Sequence, residues 1–575
     1  MKIINKIIIL ILLAATILVL SIWLGLYFVK PSQPSQTSFS KIYSIIIPEN
    51  NFAAKQRTEL FSELSKLIAQ PKTIIIISQN HNSAGNENIQ TSDQEWNVGQ
   101  DKINSNKTVV SFLTEKNLAT NNPSSFTNEQ GISNALLDIR NNFPGAEIVP
   151  IIFKNPSKDE ISELEKGLYL SCKNCLMVAS VSFSDDQPAL LAQLHDETSI
   201  KYLETLDAQN IFTAAEVDSG SSLALLTMWA KDHNTLRFVL KSNTNSGVIA
   251  KDPDAKSTTH ISGWYEEGET IKPEDSISFT IAGDMLFART IYHEFSDDFN
   301  EAFSELGNRV FWGTDASAAN LEGSITNKKI VDNIRSDNVN FRFSPKIVET
   351  LSFMHIKSVS HANNHSNNAG QEGIDTTRSL LDKAGIQIFG GPTVEDVSRV
   401  AYFKRDGISL AVIGIEMTLE ENQKSIVPII KEIKKDENMR VIIMPHWGIE
   451  YVTKHNLVQE KSAHLWIDAG ADAVIGSHPH IIQDAELYKG VPIFYSLGNF
   501  LFDQYMSYTK KGLIISGKFT QDGLILFSLP TQSDSLYKPK LITGEEKTKI
   551  LDLLYVPFKE YITDTPAGKV IKISK

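Results

Sequence analysis

Histidines that suit a divalent cation lie in the second half of the sequence. The segment GSHPH places His478 and His480 two residues apart, directly after the apolar run Ala473–Ile475. Residues two apart in an extended chain point to the same side, so both imidazoles could bind one metal ion. Histidine is a common ligand of transition metals, but a lone His-x-His is equally consistent with two surface histidines. Further ligands must decide between the two interpretations.

Further candidate ligands follow other apolar segments that predict β-strands. These segments are SISFTIAGD, IKSVSHANNH, RVIIMPHWGIEY and VPIFYSLGNF, and NLEG adds another carboxylate. Loops at the carboxyl ends of strands converge in α/β sheets, so we expect one shared crevice. The candidate metal ligands are Asp284, Glu322, Asn364, His446, His478 and His480. Mixed oxygen and nitrogen donors suit one or two divalent cations, and they do not distinguish Mn, Fe, Zn and Mg.

The elements that must position these residues alternate apolar strands with amphipathic helices, which predicts an α/β fold. A chain of 575 residues predicts two to four domains. We predict a first α/β domain over residues 41–255 and a polar linker over 256–275. A second domain over 276–530 and its C-terminal extension over 531–575 follow.

The N-terminus predicts a membrane anchor over residues 1–30, followed by a spacer over 31–40. Residues 7–29 form an apolar run of 23 residues without a charge, which is long enough to span a bilayer as a helix. Lys2, Lys6 and the amino terminus outweigh Lys30, so the bulk of the chain is expected outside the cytoplasm. This predicts a single-pass protein of the cell membrane. A cleaved signal peptide is the less favoured alternative.

Charge and cysteine content limit the function further. A net charge of -13 argues against nucleic acid as a partner, because phosphate contacts need a basic surface. The two cysteines, Cys172 and Cys175, are consistent with a disulfide or two free thiols, since the remaining ligands of a zinc site are not evident.

The motif order GD, NLE, ANNH, HWGIEY, GSHPH and YSLGNF resembles the CapA family of poly-gamma-glutamate or capsule biosynthesis proteins. This family is related to the calcineurin-like metallophosphoesterases. The resemblance covers roughly residues 276–530 and implies a four-layer α/β/β/α sandwich.

The resemblance also implies roles for single residues. Asp284 and Glu322 match metal-binding and metal-bridging carboxylates, Asn364 an amide ligand, and His446, His478 and His480 nitrogen ligands. His365 matches the histidine that protonates the leaving oxygen. Residues expected to contact substrate or line the cleft are Asn320, Trp447, Tyr451 and Asn499. Two departures, Leu286 and Asn368, replace a histidine and an aspartate of related proteins and leave phosphoesterase chemistry open.

Residues 42–250 resemble the Memo-like family, also called AmmeMemoRadiSam system protein B, through IIIISQNHN, EQGISNALL and MVASVSFSDD. Gln130, Asp185 and Asp218 stand at positions where that family has cleft residues, and His81 alone matches a usual ligand. A single imidazole does not hold a catalytic metal. We therefore expect a degenerate, non-catalytic module that binds a ligand or partner, with an unrelated α/β domain as the alternative.

Two hypotheses for function follow. In the first, the chain is a membrane-anchored, divalent-metal-dependent hydrolase or transferase that acts on an anionic cell-surface polymer or its precursor. In the second, it is a non-catalytic scaffold that binds the polymer together with its synthase or export proteins. A broad periplasmic phosphoesterase fits the motif set less well.

Overall fold

A computed structural model describes residues 39–574, except 308, 329, 331–338, 406, 420 and 421. The predicted anchor, residues 1–30, and residues 31–38 of the predicted spacer lie outside the described residues. Among the residues that are described, no helix is long and apolar enough to cross a bilayer.

The first domain is built on one mixed sheet, and its central strands β1, β8, β2 and β7 are parallel neighbours. Their runs of isoleucine and valine are buried on both faces, which is typical of a parallel sheet covered on both sides. The strands are β1 (Ile42–Pro48), β2 (Thr73–Gln79), β3 (Ile89–Thr91), β4 (Glu95–Val98), β5 (Asp101–Asn104), β6 (Thr120–Asn121), β7 (Glu147–Phe153), β8 (Leu176–Val181), β9 (Phe183–Gln187), β10 (Arg237–Asn245) and β11 (Ser257–Glu266).

Helices cover both faces of this sheet, so the predicted α/β class is confirmed for the first domain. One core cluster lies under α1 and α3, and the other lies under α2, α4, α6 and α7. The helices are α1 (Ala54–Leu67), α2 (Lys107–Glu115), α3 (Gln130–Asn142), α4 (Lys158–Cys172), α5 (Ala189–Glu204), α6 (Ala208–Thr213), α7 (Gly220–Asp232) and α8 (Ser246–Ala250). Cys172, the last residue of α4, forms a disulfide with Cys175.

The predicted linker over residues 256–275 does not agree with the structure. Residues Ser257–Glu266 form β11, which pairs with β1 on one side and β10 on the other and is buried along most of its length. The polar residues at the start of β11 mislead the sequence-based boundary, because Ser257 and Thr259 are buried there although neither is apolar. The connection between the domains is therefore shorter and begins after Glu266.

The second domain contains two large sheets. A ten-stranded sheet has the order β17-β16-β13-β12-β25-β26-β29-β28, with β24 beside β12 and β27 beside β26. A six-stranded sheet has the order β18-β19-β20-β21-β23-β22. The strands are β12 (Ser276–Met285), β13 (Ala316–Leu321), β14 (Ser324–Ile325), β15 (Arg342–Phe343), β16 (Ser358–Ser360), β17 (Gln387–Phe389), β18 (Val400–Arg405), β19 (Ile408–Glu416), β20 (Met439–His446), β21 (Ala473–Ile475), β22 (Ala485–Tyr488), β23 (Val491–Phe494), β24 (Asn499–Leu501), β25 (Lys511–Thr520), β26 (Gly523–Ser533), β27 (Pro539–Leu541), β28 (Ile562–Thr565) and β29 (Gly568–Ser574).

The two sheets of the second domain pack face to face. Apolar side chains from both sheets form the core cluster between them, including Phe279 and Ile281 of β12 and Ile442 and Met444 of β20. The outer face of the ten-stranded sheet packs on α10 and α11, and the outer face of the six-stranded sheet packs on α12 and α13. The helices are α9 (Arg289–Phe295), α10 (Ile347–Phe353), α11 (Gly370–Lys383), α12 (Val427–Ile433), α13 (Leu457–Asp468) and α14 (Gly544–Leu554).

The C-terminal extension predicted over residues 531–575 is part of the ten-stranded sheet. Strand β26 runs through the predicted boundary at residue 530, and β29 pairs with β26. The second domain therefore continues through the last described residue.

Helix α5 joins the two domains. Its residues Leu190, Leu191 and Leu194 belong to the same core cluster as Phe311 and Leu529 of the second domain. At the same interface, Lys201 Nζ donates to Ser276 Oγ at 2.6 Å. The two domains thus share buried apolar surface as well as polar contacts.

Candidate metal centre

The candidate ligands meet where the two sheets of the second domain present the carboxyl ends of their parallel strands. The ten-stranded sheet supplies Asp284 at the end of β12 and Glu322 directly after β13. The six-stranded sheet supplies His446 at the end of β20 and the GSHPH loop after β21. The predicted convergence therefore takes place between two facing sheets, and each sheet contributes part of the set.

Two carboxylates form the acidic part of the centre, and both are fully buried. Gly283 lets β12 approach the next segment closely, because a Cβ atom there would lie 2.0 Å from the Gly498 carbonyl oxygen. Asn320 Nδ2 donates to Asp284 Oδ1 at 2.8 Å and lies 3.4 Å from Glu322 Oε2. Asn320 thus bridges the carboxylates and fixes their orientation.

His446 and His478 form the nitrogen-rich part of the centre. His446 Nε2 lies 3.2 Å from His478 Nδ1 and 3.0 Å from Asn364 Oδ1. The backbone N–H of His478 donates to Asp284 Oδ2 at 3.3 Å. Asn364 therefore reaches the same group of atoms as the histidines, although it comes from a different loop.

His480 lies between the two carboxylates. Its Nδ1 is 3.4 Å from Asp284 Oδ2 and its Nε2 is 3.5 Å from Glu322 Oε1. The extended geometry expected for the His-x-His segment is wrong, because His478 and His480 have φ values of 98° and 57°. Positive φ at two non-glycine residues is rare, and such strain is typical of functional loops. Both rings nevertheless face the centre.

His365 borders the centre with a defined orientation. Its Nδ1 is 2.9 Å from Asn368 Oδ1, its Nε2 is 3.9 Å from Glu322 Oε1, and its ring stacks on Phe341. Because Asn368 Oδ1 accepts the Nδ1 proton, Nε2 of a neutral imidazole carries the lone pair that faces Glu322. The departure at Asn368 thus retains a hydrogen-bond acceptor for His365.

The surroundings shift the pKa values of the central groups in different directions. Burial raises the pKa of Glu322 well above its usual range, and it lowers that of His446 well below 6.5. Burial, together with the neighbouring His480, lowers the pKa of His478 to about 4. Burial acts in the same direction on His480, but Glu322 and Asp284 outweigh it and raise its pKa to about 9. His446 and His478 are therefore neutral nitrogen donors at neutral pH.

The predicted substrate-contacting residues lie in different surroundings. Trp447 is not at the cleft: its indole is 1% exposed, donates to the Tyr495 carbonyl and stacks on Trp466 in the core. Asn320 and Asn499 are buried beneath the ligands, and Asn499 Oδ1 lies 2.9 Å from His480 Nδ1. Tyr451 is 40% exposed at the mouth of the centre.

Two residues of the centre escaped the sequence analysis. Glu450 is exposed beside the histidines, and one oxygen of its carboxylate lies within 4.8 Å of ring nitrogens of His478 and His480. Asn363 Nδ2 donates to Asn320 Oδ1 at 3.0 Å and so supports the bridge between the carboxylates. Glu450 lies in the motif HWGIEY and Asn363 in the motif ANNH. Their positions in these motifs could therefore have identified them as candidate site residues.

The residues fit one or two divalent cations. Ligand atoms of Asp284, Glu322 and His446 lie within 4.8 Å of one another, beside the group formed with Glu450. Glu322 Oε1 is buried without a hydrogen-bond partner among the described residues, although two imidazole nitrogens face it. An unpaired buried carboxylate oxygen is costly, and a shared cation would satisfy it.

Comparison with known proteins agrees with the resemblance of the second domain to the CapA family. Residues 278–504 match the family model described as bacterial capsule synthesis protein PGA_cap. The PGA biosynthesis protein CapA of Bacillus subtilis is 26% identical over 333 residues, covering 52% of this chain and 87% of that protein. The capsule biosynthesis protein CapA of Bacillus anthracis is 26% identical over 335 residues, covering 53% and 79%.

A probable polyglutamine synthesis accessory protein of Mycobacterium tuberculosis is 26% identical over 230 residues, covering 35% of this chain and 59% of that protein. The Memo-like resemblance of the first domain stays a prediction. The second domain is therefore similar to the CapA proteins of capsule and poly-gamma-glutamate biosynthesis.

Proposed function

We propose that this chain is a membrane-anchored, divalent-metal-dependent hydrolase or transferase of bacterial surface-polymer synthesis. Its substrate is an anionic polymer of the poly-gamma-glutamate kind, or a precursor of it. The observation that carries the proposal is the buried set of Asp284, Glu322 and His446 beside His478 and His480. The names of the relatives support the substrate class, and the apolar run over residues 7–29 supports anchoring with the bulk of the chain outside the cytoplasm.

Asp284, Glu322, Asn364, His446, His478 and His480 would hold the cations, and Glu450 is a further candidate ligand. When bound, the cations supply Lewis acidity that lowers the pKa of an attacking water and stabilises negative charge on the scissile group. Asn320 and Asn499 orient the ligands, since both contact them from neighbouring strands. Tyr451 and Glu450 lie at the mouth, where a polymer segment enters.

His365 transfers the proton from the attacking water to the leaving group. Its Nε2 lone pair faces the centre, because Asn368 accepts the Nδ1 proton. Nε2 takes a proton from the attacking water and then delivers it to the leaving oxygen or nitrogen, so the atoms balance over the cycle. Burial lowers the pKa of His365, which keeps the imidazole neutral and ready to accept that proton at neutral pH.

The test is the metal content of the full-length chain, purified in detergent without chelators. We expect one or two equivalents of metal bound to the second domain, and we expect the double variant His478→Ala/His480→Ala to lose them. The control variant His464→Ala removes an imidazole that pairs with Glu486 instead, and it should keep the metal.

Activity is then measured with poly-gamma-glutamate and with phosphodiester substrates. The variant His365→Gln should retain metal but lose at least about 100-fold in turnover, as expected for removal of a general acid–base group. Metal bound without turnover of any anionic polymer would favour the scaffold hypothesis. If the second domain binds no metal after incubation with Mn²⁺, Zn²⁺ or Fe²⁺, the proposed function is wrong.

A further inference from the structure

The first domain contains a second group of side chains with the character of cation ligands. Glu49 follows β1 and His81 follows β2, so both lie at the carboxyl ends of parallel strands that are separated by one strand. Ser182 follows β8, the strand between β1 and β2, and Asp218 lies just before α7. This edge of an α/β sheet is the usual place for a ligand.

The four groups are within direct contact distance. His81 Nε2 lies 3.1 Å from Glu49 Oε2 and 3.7 Å from Asp218 Oδ2. Ser182 contributes its backbone N–H to Asp218 Oδ2 at 2.9 Å and its hydroxyl to Glu49 Oε1 at 3.0 Å. One ligand atom from each of Glu49, His81 and Asp218 lies within 4.8 Å of the others.

Glu129 orients His81 from the opposite side of the ring. Its Oε1 is 2.6 Å from His81 Nδ1, and its Oε2 accepts the backbone N–H of His81 at 3.1 Å. The Glu129 carboxylate is fully buried and also accepts the N–H of Gly131. A carboxylate that accepts the Nδ1 proton leaves Nε2 as a lone-pair donor, and this pairing is common behind metal-bound histidines.

The charges in this group do not balance. Three carboxylates surround one imidazole, and no lysine or arginine among the described residues forms an ion pair with any of them. The buried Arg57 of α1 pairs with Asp138 instead. Excess negative charge in a partly buried site favours a bound cation or protonation of a carboxylate.

Buried polar atoms without partners occur in this group and on β11, the strand that pairs with β1. Asp218 Oδ1 is buried and has no hydrogen-bond partner in the described part of the chain. His260 of β11 is fully buried, and neither of its ring nitrogens has a hydrogen-bond partner there. Buried polar atoms without partners are uncommon and require an explanation.

We propose that the first domain binds a divalent cation through Glu49, His81 and Asp218, with Glu129 and Ser182 as positioning residues. Two carboxylates and one imidazole form an oxygen-rich set that suits Mn²⁺ better than a soft metal. The expectation that His81 is a lone ligand is therefore replaced, because carboxylates from β1 and from the segment before α7 complete the set. This site is separate from the centre of the second domain.

The experiment measures Mn²⁺ binding to the full-length His478→Ala/His480→Ala variant, in which the second-domain centre is disabled. We expect about one equivalent of Mn²⁺ to remain bound, detected by electron paramagnetic resonance. Adding Asp218→Asn should weaken this binding at least about 10-fold. The matched control Asp101→Asn removes a first-domain carboxylate that is 60% exposed and pairs with Arg140, and it should leave the affinity unchanged.

A second measurement uses the parent chain, so its result does not depend on whether a variant folds. In the parent chain, Mn²⁺ should slow amide hydrogen exchange at residues 81–83 and 129–133, which hold the ligand and its positioning carboxylate. Absence of bound Mn²⁺ in the His478→Ala/His480→Ala chain would overturn the proposal, as would unchanged exchange in these segments. Either failure would leave the metal count of the second domain unaffected, so it would not be confused with failure of the proposed function.

Discussion

His478 and His480 show that the pKa values of identical residues two positions apart can shift in opposite directions. Burial and the nearby His480 keep His478 neutral, whereas Glu322 and Asp284 raise the pKa of His480 to about 9. Residue type predicted both as ligands, but it could not predict their protonation. That property depends on carboxylates from another sheet.

His361 provides a test at the scale of a single residue. It is fully buried, contacts the Gly323 carbonyl through Nε2, and has a pKa lowered by burial to about 4. Between pH 6.5 and 4 the unfolded chain binds a proton at this histidine and the folded chain does not. The free energy of unfolding should therefore fall as pH decreases through this range.

The variant His361→Gln should reduce the pH dependence of the free energy of unfolding by up to about 1.4 kcal/mol per pH unit, which corresponds to the uptake of one proton on unfolding. Chemical denaturation at pH 7 and pH 5, followed by circular dichroism, measures the slope. The matched control is His293→Gln, because His293 is 47% exposed. Equal slopes for His361→Gln and the unmodified chain would contradict the argument.

At the scale of elements, the loop after β21 depends on a close approach between two strands. A Cβ atom at Gly476 would lie 2.2 Å from the Tyr495 carbonyl oxygen and 2.5 Å from Trp447 Nε1. The buried Trp447 thus supports the loop that carries the histidines, even though it does not line the cleft. Gly476 therefore links the position of the candidate ligands His478 and His480 to the packing of the core.

The variant Gly476→Ala should lower the free energy of unfolding by about 1–3 kcal/mol, because the added methyl group has no space. It should also weaken metal binding, since the GSHPH loop must move. Unfolding and metal titration of the same preparation measure both effects. Gly145→Ala is the control, because nothing lies within 4 Å of a Cβ there. Unchanged stability and affinity in Gly476→Ala would refute the proposed support.

At the scale of the whole molecule, α5 gives the two domains a common core. Leu191 is fully buried in the cluster that contains second-domain phenylalanines, and Glu197 of the same helix pairs with Lys518 at 2.8 Å. A fragment that begins near residue 272 would expose the surface that α5 covers. The full-length chain is therefore the appropriate material for metal measurements.

The variant Leu191→Ala should destabilise both domains, by about 2–5 kcal/mol in total, through the cavity it leaves in their shared core. Hydrogen exchange measured by mass spectrometry should show faster exchange in β1 and in β12 together. Leu170→Ala, at a side chain that is 79% exposed, is the control. Faster exchange confined to the first domain would show that the domains unfold independently.

The sequence by itself predicted the α/β class, the resemblance of the second domain to the CapA family and most residues of its candidate centre. Apolar runs identify strands locally, and the residues at their ends follow directly in the chain. Only the tertiary structure decided which strands form each sheet, that Trp447 is buried and that β11 belongs to the first sheet. It also brought Glu49, Glu129 and Asp218 around His81. Local patterns specify which residues follow a strand, whereas contacts between distant segments determine which residues share a site.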